Sequence, residues 1–205
     1  MKLAALLTGC ALAAASALAL AQAPTKPATP AAPAAPAAPA PAGDKIAAGK
    51  AAFVEVARVL QSPRCQNCHP TGDRPLQGDR GAVHAQNISR ASVAAGLLCS
   101  TCHQERNSEV VGVAGGPPGA PRWGLPPTEH PMIFQGKTPT ALCEQLKDPA
   151  HNGGKSLAQL LEHVSHDALV LWGWNPGGKR QPPPLPHDKF VAAFSTWVAA
   201  NGACP

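Results

Sequence analysis

Two short segments of the chain carry the same pattern of thiols followed by an imidazole. Residues 65–69 read Cys-Gln-Asn-Cys-His, and residues 99–103 read Cys-Ser-Thr-Cys-His. A histidine directly after a Cys-x-x-Cys pair is the spacing that attaches haem covalently. The two thiols add across the two vinyl groups of one haem, and the histidine becomes an axial ligand of its iron. The sequence therefore predicts two haem c groups, with thioether bonds at Cys65, Cys68, Cys99 and Cys102 and iron ligands at His69 and His103.

The same residues allow two other interpretations. Paired Cys-x-x-Cys motifs also bind zinc, and an exported protein can use its cysteines as a disulfide framework. The 30 residues between Cys68 and Cys99 are a longer separation than a zinc ribbon usually has, and neither alternative explains the histidine after each pair. That separation is also too short for two ordinary cytochrome domains. We therefore expect both haems to lie close together in one domain.

The second axial ligand of each iron follows less directly from the sequence. His84 is the first candidate, because it lies between the two motifs, where the chain must wrap around both haems. His163 is the second, because it falls beside an apolar stripe of a predicted helix. A methionine ligand is available to one haem at most, since a single methionine follows Met1. The alternatives are Met132, His130 and His166, whereas His151 and His187 are expected at surface or capping positions.

The cysteine count leaves one further pair. Of seven cysteines, Cys10 lies near the N-terminus and four belong to the motifs, so Cys143 and Cys204 remain. In an oxidising compartment this even remainder predicts a Cys143–Cys204 disulfide, with two unpaired thiols as the alternative. Closing a loop of about 60 residues would stabilise the fold by roughly 4 kcal/mol.

The first 43 residues have the composition of export and spacer segments. A basic residue, an apolar stretch and a small-residue cleavage pattern predict a signal peptide over residues 1–21. Residues 22–43 are rich in alanine and proline, with a proline at every third position from Pro24 to Pro39. This period predicts a polyproline II linker. We expect a periplasmic protein without an integral membrane span, and a lipid anchor at Cys10 is the alternative to plain secretion, because the residues before it resemble a lipoprotein box.

Residues 44–205 are predicted to form a mainly α domain, small and helical, with long Pro- and Gly-rich loops. Apolar residues recur at helical spacing in the segments 44–60, 138–146, 155–164 and 187–200. Asp44 is expected to cap the first helix. The apolar positions of that helix that recur at helical spacing are Ile46, Phe53, Val56 and Leu60. Loops as long as those between the helices usually need something to pack against, and haem would provide it.

Two resemblances extend this interpretation. Residues 49–53 followed by the first motif, together with a C-terminal helix carrying Phe194 and Trp197, are similar to class I cytochromes c, although the second motif interrupts that plan. The second motif, residues 142–153 and residues 171–174 resemble bacterial di-haem proteins known as isoquinoline 1-oxidoreductase-type cytochrome subunits. That resemblance implies a redox partner protein, such as a molybdenum hydroxylase or another dehydrogenase.

Composition excludes some functions and leaves electron transfer as the expected one. Lys and Arg outnumber Asp and Glu by 17 to 12, but the excess is scattered and lacks interleaved aromatic residues, so nucleic-acid binding is not expected. A periplasmic electron carrier with two haems, not an enzyme, is the leading expectation. The alternatives are a peroxidase-like di-haem enzyme with one open iron and a haem-based sensor or structural subunit.

Overall fold

The computed structural model describes residues 42–109 and 116–205. The predicted signal peptide, Cys10 and the predicted linker up to residue 41 lie outside the described residues. The first helix begins at Ala42, two residues before the predicted start of the domain. Asp44 is therefore not the helix cap that the sequence predicted. It lies in the first turn, where a carboxylate interacts favourably with the helix dipole.

The described residues are largely helical, as predicted. In chain order the elements are α1 (Ala42–Leu60), α2 (Pro63–Gln66), strands β1 (Leu76–Gln77) and β2 (Ala82–Val83), α3 (Arg90–Ala94), a 3-10 turn (Cys99–Thr101), α4 (Pro139–Lys147), α5 (Leu157–His166), α6 (Ala168–Trp172) and α7 (His187–Ala199). The two strands form a small antiparallel hairpin in which Leu76 pairs with Val83. No helix within the described ranges is long and apolar enough to cross a membrane.

The core lies where α1 packs along α7, with α4 and α5 beside them. Phe53 from α1 meets Trp197 from α7 with ring centres 4.8 Å apart, and both side chains are fully buried. The helices can approach because residue 49 is glycine, since a Cβ there would lie 2.2 Å from the Cβ of Ala200. Of the four apolar positions at helical spacing in α1, Phe53, Val56 and Leu60 are buried, whereas Ile46 is 48% exposed.

Local sequence explains why α4 and α5 begin where they do. Thr138 accepts a hydrogen bond from the Ala141 amide at the start of α4. Ser156 and Gln159 form a capping box at the start of α5. The helix begins at Leu157, two residues after its predicted start at residue 155. Capping of this kind satisfies amides that have no partner within the helix.

The C-terminus is fixed to the helical core by the cysteine pair that the sequence predicted. Cys143 in α4 and Cys204 are joined by a disulfide, with Cα atoms 5.6 Å apart. Cys143 is fully buried in the core. Between α4 and α5, the buried Asn152 donates to the Leu146 and Lys155 carbonyls, which holds the connecting turn in place.

Candidate functional site

The first Cys-x-x-Cys-His motif begins inside a short helix. Pro63 starts α2, which follows α1 directly, and Cys65 lies within it. The His69 amide donates to the Cys65 carbonyl at 3.2 Å, so the motif continues as helical turns. Residues three apart on such turns share a face. The thiols of Cys65 and Cys68 therefore lie on one side of the chain, as attachment to a single haem requires.

The His69 ring is held in one tautomer. Its Nδ1 lies 2.6 Å from the Met132 carbonyl oxygen, and because a carbonyl only accepts, Nδ1 must carry the proton. The ring also stacks on Phe134, with centres 3.9 Å apart. Burial lowers the pKa of His69 to about 4, so the ring is neutral at pH 7. Its Nε2 lone pair is then available to a metal.

The second motif is built in the same way on a tighter turn. Cys99 begins the 3-10 turn, and the His103 amide donates to the Cys99 carbonyl at 2.9 Å. His103 Nδ1 donates to the Pro118 carbonyl at 2.7 Å, and its ring stacks on Trp123 with centres 4.7 Å apart. Burial lowers the pKa of His103 as well. Both motif histidines thus present an unprotonated Nε2 and are fixed by a backbone carbonyl, the support that metal-binding histidines usually have.

The two motifs lie near each other. A thiolate at Cys99 is close enough to contribute to the raised pKa of Cys68, which burial chiefly raises to about 11. The hairpin connects the motifs further, because Asn67, inside the first motif, accepts from the Leu76 amide at 2.9 Å and donates from its side chain to the Gly78 carbonyl. The same hairpin ends at His84, whose amide donates to Pro75 at 3.0 Å.

His84 is brought to the second motif. Its ring centre lies 6.1 Å from that of His103, with the ring planes at 63°. His84 Nδ1 is buried and has no hydrogen-bond partner among the described residues, and burial lowers the pKa of His84. The first candidate for a second axial ligand therefore lies close to the motif histidine that follows it in the chain.

His163 is brought to the first motif. It lies on α5, and a charge on its ring is close enough to contribute to the lowered pKa of His69. His163 Nδ1 lies 3.6 Å from an Asp167 carboxylate oxygen. That distance is longer than a hydrogen bond, and the His163 ring forms no hydrogen bond with any of the described residues. Metal-binding histidines commonly have a carboxylate beside the ring nitrogen that does not bind the metal, and Asp167 is placed beside Nδ1 in that way.

The remaining candidate ligands lie elsewhere. The backbone carbonyl of Met132 accepts a hydrogen bond from His69 Nδ1. The Met132 side chain packs against the core. The side chains of His166 and His151 are 70% and 66% exposed. His130 Nδ1 donates to the Ala150 carbonyl. His187 lies against Trp174 and its Nε2 donates to the Val164 carbonyl.

Asn107 supports the second site and was missed in the sequence. Its side-chain oxygen accepts from the Gly119 amide at 3.0 Å and from Trp172 Nε1 at 2.8 Å. These bonds fix the loop whose Pro118 carbonyl orients His103. Gly119 itself cannot carry a side chain, because a Cβ would lie 2.2 Å from the Arg106 carbonyl oxygen. The Trp172 ring meets Trp123 edge-on, with centres 4.7 Å apart.

Two arginines near the motifs, one buried and one partly buried, were also missed. Arg64, directly before Cys65, has a 2% exposed side chain, donates to Asp79 at 2.6 Å and lies 5.8 Å from the centre of the Trp172 ring. Arg90, at the start of α3, lies near His69 and contributes to its lowered pKa. The sequence holds no local signal for either, because a lone arginine in a loop or short helix is usually exposed.

The donor set at the motifs fits a c-type haem. All four motif cysteines have free thiols, and burial raises the pKa of Cys65 to about 12, so that thiol is neutral. A structural zinc ion needs four ligands around one point, and no group of three or more His, Cys, Asp or Glu residues within 42–109 and 116–205 is placed to hold a metal ion.

Comparison of the chain with family models, with curated proteins and with solved structures finds no match.

Proposed function

We propose that this protein is a di-haem c-type cytochrome that passes electrons between redox partner proteins in the periplasm. The observation that carries the proposal is the shared construction of the two motifs. In each, the histidine donates from Nδ1 to a distant backbone carbonyl and offers Nε2 to a metal beside two free thiols. Haem bound there would supply one-electron chemistry, whereas the protein sets its potential through ligands, burial and hydrogen bonds.

The separation of His84 and His103 supports a bis-histidine site at the second motif. Imidazole nitrogens bind first-row metals at about 2.0 Å, and a ring centre lies roughly 1.1 Å beyond its nitrogen, so two rings on one ion have centres about 6 Å apart. The observed separation is 6.1 Å. The spacing of the His84 and His103 rings is thus the one that a shared iron would require.

His163 is the corresponding candidate at the first motif. Its pairing with Asp167 and its proximity to His69 support this role. With both irons bound on two sides, neither would keep an open position for a substrate. This favours an electron carrier over the peroxidase-like alternative, which needs one labile site.

The proximity of Cys68 to Cys99 supports electron exchange between the two haems. Both groups would be attached within one small helical domain, so an electron that enters at either haem could reach the other. The predicted signal peptide supports a periplasmic location. The resemblance to isoquinoline 1-oxidoreductase-type subunits suggests a molybdenum hydroxylase, or another dehydrogenase, as the electron donor.

The proposal is tested by loading the full chain with haem in a bacterium that exports and matures c-type cytochromes. Haem content is measured as the pyridine haemochrome, and spin state by low-temperature EPR and optical spectra. We expect two haems per chain, both low-spin. His84→Ala and His163→Ala should each convert one haem to high-spin. His166→Ala is the matched control, since His166 shares α5 with His163 but is exposed, and it should change neither haem.

Three outcomes would overturn parts of this proposal. Zinc bound in place of covalent haem would show that the proposed cofactor is wrong. A high-spin ferric signal in the wild type, together with peroxide turnover, would favour the peroxidase-like enzyme with one open iron. If the His163→Ala variant stays low-spin, His163 is not a ligand, and Met132 and His130 become the candidates.

A further inference from the structure

Arg90 is a partly buried cation in which one guanidinium nitrogen is left without a partner among the described residues. Its Nε donates to the Pro126 carbonyl at 3.1 Å, and its Nη1 donates to the Gly72 carbonyl at 2.9 Å. The side chain is 11% exposed. Its Nη2 is buried and has no hydrogen-bond partner among the described residues. A buried charged donor without a partner is costly, so such an atom points to an acceptor that belongs there.

The acidic side chains near Arg90 do not supply that acceptor. Asp73 is at the 4.0 Å limit of an ion pair, through Nη1 rather than Nη2, and its side chain is 52% exposed. Glu129 lines the cavity that Arg90 also lines and is exposed, but it forms no ion pair with Arg90 in the described part of the chain. The charge on Arg90 is therefore only weakly compensated by the protein.

The cavity beside Arg90 has the chemistry of a haem pocket. Its volume is about 390 Å³, and its walls include Cys99, Leu98, Val93 and Trp123, the ring that stacks on His103. Ligand pockets combine mostly apolar walls with a few placed polar groups. Haem carries its vinyl groups and its two propionates on different edges, so a pocket for it needs thiols on one wall and a cation on another.

We propose that Arg90 binds a propionate carboxylate of the haem attached at the second motif, through Nη2. The inference rests on the proposed function and deepens it, by assigning a residue to the carboxylate edge of the cofactor. A planar guanidinium donates to a carboxylate with strong, charge-assisted bonds. Arg90 is then a positioning residue, because its Nε and Nη1 anchor it to the Pro126 and Gly72 carbonyls respectively, whereas Nη2 would orient the haem.

The test uses the haem-loaded full chain and its Arg90→Gln and Arg90→Lys variants. Resonance Raman spectra report the propionate bending bands, and spectroelectrochemical titration reports the two reduction potentials. Arg90→Gln should shift one propionate band and lower one potential, because loss of a nearby positive charge favours ferric iron. Arg90→Lys should restore the potential in large part, and its propionate band should stay shifted, since lysine lacks the planar fork.

Two control variants separate the explanations. Arg80→Gln removes an exposed arginine and should leave both bands and both potentials unchanged. Glu129→Gln should also leave the propionate bands unchanged, and a band shift there equal to that of Arg90→Gln would assign the effect to the Glu129 carboxylate instead.

The result that overturns the inference is a set of propionate bands in Arg90→Gln and Arg90→Lys that coincide with those of the wild type. If the variants still carry two haems per chain, that result would reject the role of Arg90 and leave the proposed function standing. A wild-type chain without covalent haem would instead reject the proposed function. If Arg90→Gln does not accumulate, Arg90→Lys carries the same test, because the predicted band shift does not depend on loss of charge.

Discussion

Removal of the disulfide should destabilise the domain without changing the number of haems that the proposal assigns to it. Cys143 and Cys204 close a loop with a sequence separation of 61. In the chain-entropy treatment, a cross-link of that span costs the unfolded chain about 14 cal/mol/K, which corresponds to about 4 kcal/mol at 25 °C. We therefore expect the double variant Cys143→Ala with Cys204→Ala to lose about that much free energy of unfolding.

The assay is equilibrium denaturation followed by the helical circular dichroism signal. For about 160 folded residues, an unfolding entropy near 2.1 cal/mol/K per residue converts 4 kcal/mol into a fall in Tm of about 12 °C. Alanine at position 143 also leaves a small cavity, since Cys143 is fully buried. Wild-type protein treated with a mild reductant keeps both sulfur atoms, and its loss of stability gives the effect of the cross-link alone.

The expected pattern is specific. The double variant and the reduced wild type should both be less stable by several kcal/mol. Pyridine haemochrome should still count the two proposed haems per chain, because all four motif cysteines lie outside this loop. A loss below about 1 kcal/mol in both would refute the loop-closure reasoning. Loss of one haem in the double variant would show instead that the disulfide holds a haem site together.

Two further changes test the packing that positions the site. Gly49→Ala should lower the free energy of unfolding by about 1–3 kcal/mol in urea denaturation, because the added Cβ would lie 2.2 Å from the Cβ of Ala200. The control is Gly43→Ala in the same helix. Its added Cβ meets nothing within 4 Å, so this variant should be neutral or slightly stabilising. Asn107→Ala removes the acceptor of two donors and should cost about 2 kcal/mol in the same assay; equal stability of this variant and the wild type would contradict the support role of Asn107.

Helices with a clear apolar period and a good cap could be predicted from the sequence. The prediction for α7 differs from the structure by one residue at its end, because three large aromatic residues mark its buried face. The helix α6 was missed, because it has only five residues and follows α5 after a single residue, Asp167. Asp167 caps it through bonds to Leu169 and Val170, so one residue both ends α5 and starts α6.

The environment of the motif histidines could not be predicted, because it comes from distant parts of the chain. The carbonyl that orients His69 belongs to Met132, 63 residues further on. Met132 was an alternative iron ligand through its sulfur, and in the structure its backbone oxygen accepts a hydrogen bond from His69 Nδ1. Which carbonyl meets a motif histidine depends on where the loops fold back. Every residue has a backbone carbonyl, so residue type alone does not indicate which one accepts the hydrogen bond.

The short separation of the motifs also determines which groups lie beside the second motif. The 30 residues between Cys68 and Cys99 contain the hairpin that presents His84 to the second motif and the helix that places Arg90 beside the cavity lined by Cys99. Both pieces are anchored on the first motif or just after it, at Asn67 and Gly72. A displacement of the first motif would therefore move groups that serve the second, so the two proposed haem sites should mature and respond to mutation as one unit.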